Sequence, residues 1–265
     1  MAWEVEAFYA RNQNQRDILV AIPHTGRVSF DFAANLAMLQ PPPNTSMAIS
    51  GNTGQPIDIA RNIFASKALQ MQCQYIFYVD SDMILKAGTL VELWNERMPI
   101  VSACYLNRGP PYELVANIGN KPVSHNIMQE QPNKLVEVEE VGMGSCLIDT
   151  RVFQRLAQRL DKWHCIRPHG DNMDVVSYKN NEAIQQNYKC TREKCEGLLL
   201  CNFFDHKLGK GEYLASEDYW FCRQVRELGF QVYLKTSVFV THETAPWKLT
   251  ETGLENPISS AGIIQ

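Results

Sequence analysis

The chain has 265 residues, 45% of them hydrophobic and 20% charged, with a formal net charge of −4. This length suits one large α/β domain or two small ones, and the slightly acidic balance supplies no global basic field for nucleic acid or anionic lipid. No apolar run approaches membrane-spanning length, and the opening Met1-Ala2-Trp3-Glu4-Val5-Glu6 lacks the charged and apolar regions of a signal peptide, so a cytoplasmic location is expected.

In chain order, Asp17 to Ile22 reads as a buried first strand ended by Pro23-His24-Thr25-Gly26. Val28 to Leu39 carries apolar residues at helical spacing and is closed by Pro41-Pro42-Pro43. A short strand over Ser46 to Ser50 precedes an amphipathic helix over Ile57 to Met71, which contains Arg61-Asn62. The third strand, Tyr75-Ile76-Phe77-Tyr78-Val79, is apolar enough to be buried on both faces, as in a parallel sheet flanked by helices. A helix over Ala87 to Arg97 and a strand over Pro99 to Tyr105 continue the alternation, which argues for a doubly wound α/β sheet.

The second half is less regular. Tyr112 to Ile118 and Leu135 to Val141 read as antiparallel strands. Gly142 and Gly144, one residue apart, weaken a strand for no local gain and imply a close approach of backbone to something else. Thr150 to Leu160 reads as a basic helix, with Arg151, Arg155 and Arg159 at i+4 spacing; a solvated helix face is the first reading of them and a basic stripe the second. Ala215 to Leu228 is a strong helix ended by Gly229, with short strands over Gln231 to Leu234 and Ser237 to Thr241 after it. With no internal repeat and no clear linker, one domain over residues 1–265 is expected.

Eight cysteines divide into two groups. Cys73, Cys104, Cys146 and Cys222 read as small buried residues in a reducing compartment. Cys165, Cys190, Cys195 and Cys201 share an irregular segment with His164, His169 and His206. Their spacing does not form the paired pattern of a zinc ribbon; free thiols are the first reading, with a structural zinc or a disulfide left open.

Chemistry-bearing residues stand at the ends of three predicted elements. Asp80-Ser81-Asp82 follows the third strand, where i, i+2 spacing in extended backbone puts both carboxylates on one side. Two acids held together there call for a positive partner, and a divalent cation is the natural one; a helix-capping turn is the plainer alternative. Ser216-Glu217-Asp218 opens a helix, where Ser216 is a good N-cap and acids suit the dipole without any catalysis. His242 lies just beyond a strand.

This ordered set resembles the nucleotide-sugar-dependent glycosyltransferases of the GT-A fold. The matching residues are Asp80-Ser81-Asp82, then Gly142-Met143-Gly144, then Glu217-Asp218 and finally His242. The run from Ser216 to Arg223, with Gly229-Phe230 after it and Arg61-Asn62 before the acid pair, looks like small family-2-type members found in viruses and microbes. The resemblance covers roughly residues 17 to 245 and excludes the cysteine-rich segment.

It implies a GT-A mixed α/β sheet flanked by helices. A nucleotide-sugar-binding half would span about 17–110, an acceptor-binding half about 111–245, and a tail 246–265. It also implies a metal-dependent, inverting transfer in which Asp218 is the general base and Glu217 orients the acceptor or supports the loop. Asp80, Asp82 and His242 are the implied metal ligands, Asp82 the surer of the two acids. Pro23, Thr25, Arg61, Asp80, Ser81, Gly142 and Gly144 are the implied nucleotide contacts. The expected cofactor is Mn²⁺ or Mg²⁺, with His242 leaning the choice to Mn²⁺. A UDP-sugar is the expected donor; the acceptor hydroxyl, on a saccharide, protein, lipid carrier or modified nucleobase, stays open. Tyr105 and Arg108, at another strand end, are expected near donor or acceptor. Two rivals remain: a nucleotidyltransferase, for which Pro23-His24-Thr25-Gly26-Arg27 is a poor Gly-rich loop, and a non-catalytic carbohydrate- or nucleic-acid-binding domain on the same scaffold.

Overall fold

The computed structural model describes residues 16–109, 112–160, 162–166, 198–208, 213–243, 248–250 and 253–255. The first strand, β1 (Ile18–His24), shows why a sheet forms: Ile18, Val20 and Ile22 enter one hydrophobic cluster, while Leu19 and Ala21 enter another on the opposite face. Such two-residue periodicity with apolar side chains at every position requires cover on both faces. The helices provide it. Helices α1 (Phe30–Ala37) and, further along, α3 (Thr89–Asn95) contribute Phe32, Leu90 and Leu93 to one cluster. Helices α2 (Ile57–Gln70), α5 (Thr150–Leu156) and α6 (Glu217–Glu227) contribute Phe64, Phe153 and Phe221 to the other. A single-turn helix, α4 (Ile127–Glu130), lies between them in sequence.

The remaining strands of the main sheet are β2 (Met47–Thr53), β3 (Tyr75–Val79), β4 (Ile100–Cys104), β5 (Leu135–Val138), β6 (Ser145–Asp149) and β7 (Val232–Phe239). They form one seven-stranded sheet in the order β2-β1-β3-β6-β4-β7-β5. Strands β1, β2, β3, β4 and β7 share a direction, and β5 and β6 oppose it. This is the mixed, helix-flanked α/β sheet expected of a GT-A arrangement. The carboxyl ends of β1, β3, β4 and β7 therefore open on one edge, and the antiparallel β6 begins there, with Ser145 opposite Val79. Residues that follow those strands, and those that precede β6, are brought together by topology.

Several local expectations change. Helix α2 is not amphipathic: Asp58, Arg61, Asn62 and Ser66 are buried along with its apolar residues, because the strand Leu198–Cys201 covers the side turned away from the sheet. The two short strands expected over residues 231–241 are largely one, β7. Of the expected antiparallel pair, Ala116–Ile118 meets Glu140–Val141, whereas β5 leaves to the far edge of the main sheet beside β7. Helix α5 ends at Leu156, so Arg159 lies beyond it, and Arg151 is ion-paired with Asp149. No continuous three-arginine stripe results. Cys73, Cys104, Cys146 and Cys222 are buried as expected. Cys190 and Cys195 lie outside the described residues, as does most of the tail, so the readings made on them do too. Among the described residues no helix is long and apolar enough to cross a membrane.

Candidate active site

The strand β3 stops at Val79, and the chain turns at once: the amide of Met83 donates to the carbonyl of Asp80 at 3.0 Å. The two acids thus sit in a turn rather than in extended backbone, and the same-side expectation fails for that reason. Asp80 continues toward the α2 face, where both of its oxygens accept from Nη2 of Arg61, at 3.0 and 3.2 Å. Asp82 instead directs Oδ2 toward Arg108 and toward Nε2 of His242, the latter at 3.2 Å. Its other oxygen, Oδ1, is buried and has no hydrogen-bond partner among the described residues. Ser81 is half-buried at the turn between them.

Backbone pairing fixes Asp82 against His242. The short strands Met83–Ile84 and Thr241–His242 pair antiparallel, and the amide of Glu243 donates to the carbonyl of Asp82 at 2.7 Å. Nδ1 of His242 lies 2.9 Å from the carbonyl of Leu106. A carbonyl only accepts, so Nδ1 carries a proton, and Nε of Arg108 only donates, so Nε2, 3.0 Å from it, offers its lone pair to Arg108.

Arg61 joins the two acidic motifs. It is 2% exposed, so it is neither a surface cation nor open to solvent. While Nη2 holds Asp80, Nη1 is ion-paired with Oε1 of Glu217 at the start of α6. Burial lowers the proton affinity of this guanidinium, yet Asp80 and Glu217 outweigh that and raise it. The hydroxyl of the fully buried Tyr78 donates to the Arg61 carbonyl at 2.9 Å and pins the helix turn that carries it.

Ser216 caps α6 as expected, and its hydroxyl also donates to Oδ1 of Asp218, which accepts in addition from the amide of Tyr219 at 2.8 Å. Burial and then the neighbouring Glu217 charge push the Asp218 carboxyl up to about 6, against the lowering effects of Arg61 and those hydrogen bonds. Arg61, bound to both Asp80 and Glu217, sets the two motifs beside each other.

Gly142 and Gly144 are explained by Tyr105. A Cβ at Gly142 would lie 2.0 Å from its hydroxyl, and one at Gly144 would lie 2.4 Å from Cε of Met83 and 3.0 Å from the tyrosine ring. The amide of Gly144 donates to the Tyr105 hydroxyl at 2.9 Å, and its carbonyl accepts from the amide of Asp80 at 3.0 Å. The expected close approach is real, and its occupant is a tyrosine. Pro23 is buried within β1 opposite Asn52, whereas Thr25 is exposed beyond the strand end.

The contacts of three further residues, Asn62, His206 and Asp58, escaped the sequence. The Asn62 side chain clamps the backbone of Phe204, accepting from its amide at 2.9 Å and donating to its carbonyl at 2.8 Å. This seats residues 202–206 over α2 and puts Nε2 of His206 3.6 Å from Oε2 of Glu217. Asp58, one turn before Arg61, is buried, and that burial raises its carboxyl above the ordinary range. No local motif marks these contacts.

A divalent cation fits Asp82 and His242. The unpartnered Oδ1 of Asp82 and Nε2 of His242, which accepts from Nε of Arg108 at 3.0 Å, offer oxygen and imidazole ligands. Cations such as Mn²⁺ and Mg²⁺ commonly take few protein ligands and complete their shell with substrate phosphates and water. Among the described residues no group of three His, Cys, Asp or Glu side chains forms a ready metal cage, and Asp80 is already engaged by Arg61.

No protein-family model matches the chain, and no curated protein matches it. Among solved structures, A197 from STIV is similar at 16% identity with a TM-score of 0.43, over 85% of this chain and 84% of that one. GalNAc-T7, solved with UDP, GalNAc and Mn²⁺, is similar at 11% identity with a TM-score of 0.47, over 87% of this chain and 44% of that one. Neither likeness assigns a role to any residue of this chain.

Proposed function

We propose that the protein is a glycosyltransferase of GT-A type that moves a sugar from a nucleotide-sugar, a UDP-sugar first among candidates, to an acceptor hydroxyl with inversion. The observation that supports this reading is Asp82, with its unpartnered buried oxygen, set against His242, while Arg61 ties the neighbouring Asp80 to Glu217, next to Asp218. A divalent cation held by Asp82 and His242 would neutralise the diphosphate as negative charge builds on it. Asp80, fixed by Arg61, is left to meet the ribose or a metal-bound water. Thr25, at the carboxyl end of β1, lies at the edge where open α/β sheets take nucleotides.

Asp218 performs the proton transfer. The acceptor oxygen forms a bond to the anomeric carbon, the bond from that carbon to the phosphate oxygen breaks, and the acceptor proton passes to the Asp218 carboxylate. A carboxyl poised at about 6 is largely ionised at neutral pH yet more basic than an ordinary aspartate, which suits a general base. Glu217, tied to Arg61, holds the start of α6 in place and so orients Asp218. Residues of the second half, about 111–245, supply the acceptor side.

The test is chromatographic. With Mn²⁺ and a panel of nucleotide-sugars, the protein should release a nucleoside diphosphate from one donor, to acceptor or slowly to water, and Asp218→Asn should lose most of that rate. Release of pyrophosphate from a nucleoside triphosphate with a sugar phosphate would instead favour the nucleotidyltransferase alternative. Neither product, with metal present, would favour a binding domain.

A further inference from the structure

The contact between Asp82 and His242 poses an electrostatic problem. Nδ1 of His242 donates to the Leu106 carbonyl and Nε2 accepts from Nε of Arg108, which can only donate, so Nε2 offers a lone pair while Oδ2 of Asp82, a carboxylate oxygen, lies 3.2 Å away. Two acceptors at that distance need a cation between them. Arg108 provides it: its Nε donates to Nε2 of His242 at 3.0 Å and its Nη2 to Oδ2 of Asp82 at 2.5 Å. One guanidinium therefore bridges the same two groups that fit a divalent ion. His242 is 7% exposed, but the Arg108 side chain is 63% exposed and reaches the pair from solvent.

We propose that Arg108 is a displaceable counter-ion: it holds the Asp82–His242 pair until a divalent cation takes its place, and the released guanidinium then binds the diphosphate of the donor. This rests on the reading of the site as one for a metal and a nucleotide. One imidazole lone pair cannot serve both cations, so arginine and metal compete at His242. Once released, the planar fork matches two phosphate oxygens, which an ammonium cannot do as well. Metal and nucleotide consequently bind with positive coupling, because the nucleotide removes the competitor.

The experiment measures Mn²⁺ binding by the loss of its free electron-paramagnetic-resonance signal, at fixed pH, with and without UDP. Wild type, Arg108→Gln, Arg108→Lys and Asp82→Asn are compared, and thermal melts confirm folding. Arg108→Gln should bind Mn²⁺ alone about tenfold tighter than wild type, a size usual for coupled sites. Its gain in Mn²⁺ affinity on adding UDP should be smaller than that of wild type. Arg108→Lys should fall between the two. Equal or weaker Mn²⁺ binding by Arg108→Gln, with wild type still binding Mn²⁺ through Asp82, overturns the exchange while leaving the metal reading intact. Absence of Mn²⁺ binding by every variant, with or without UDP, overturns both.

Discussion

Both oxygens of Asp80 accept from a single nitrogen of Arg61, and the other terminal nitrogen of the same buried guanidinium is committed to Glu217. The turn after β3 and the start of α6 are thereby joined by one side chain. Replacing Arg61 by Ala should strand these carboxylates without a counter-charge and cost about 3–5 kcal/mol of stability, the usual penalty for breaking a buried pair. Urea unfolding would measure it. Arg61→Lys should recover part of the loss but not all, since an ammonium cannot serve both acids in the same geometry. A loss under about 1 kcal/mol, the size of an exposed pair, would contradict the buried link.

The raised Asp218 carboxyl sets a pH profile. Transfer requires its ionised form, so the rate should rise as pH passes through about 6 and level off above it. Asp218→Asn should lower the rate by roughly 10²–10⁴-fold, the range of general-base contributions, and abolish that limb of the profile. Stability runs the other way. Between the ordinary 3.8 of the unfolded chain and about 6, the native carboxyl keeps a proton that the unfolded one has released. This group's contribution to stability therefore falls as pH rises through that window. Melting temperatures of wild type and Asp218→Asn between pH 4 and 7 should diverge, with the variant gaining relative to wild type toward the higher end.

The close approach of Gly142 to Tyr105 predicts a specific pairwise effect. Gly142→Ala drives a methyl group into the tyrosine hydroxyl and into Val115 and should cost about 1–3 kcal/mol, as overpacking does. Tyr105→Phe removes the hydroxyl that the new methyl meets, so the double variant should be more stable than the sum of the two single losses predicts. Strictly additive losses in a double-mutant cycle would show that the methyl is accommodated elsewhere.

Much of this architecture was legible in the chain. The apolar runs from Ile18 to Ile22 and from Tyr75 to Val79 mark buried strands, and Ser216 marks a helix start; each depends on neighbours in sequence. The acid pair was legible as a pair but not in its geometry, because the turn that closes on Met83 separates Asp80 from Asp82. The burial of Arg61 was not legible, because the strand Leu198–Cys201 that covers α2 lies far along the chain. The Asn62 clamp on Phe204 spans 142 residues and the Arg61–Glu217 pair spans 156, separations over which no residue pattern announces a partner. Gly142 and Gly144 signalled a close approach, but a glycine reports that space is needed and not what fills it. Tyr105 fills it.

The most direct test of the central claim is a thermal-shift comparison of UDP-, GDP-, ADP-, CMP- and dTDP-sugars with and without Mn²⁺, on wild type and on Asp82→Asn. A ligand that binds the native state raises its melting temperature in step with its affinity and concentration. One nucleotide-sugar should raise the melting temperature of wild type when Mn²⁺ is present, have little effect without it, and have little effect on Asp82→Asn under either condition. The same shift in the absence of metal, or an undiminished shift in Asp82→Asn, would contradict a metal-bridged nucleotide site at Asp82.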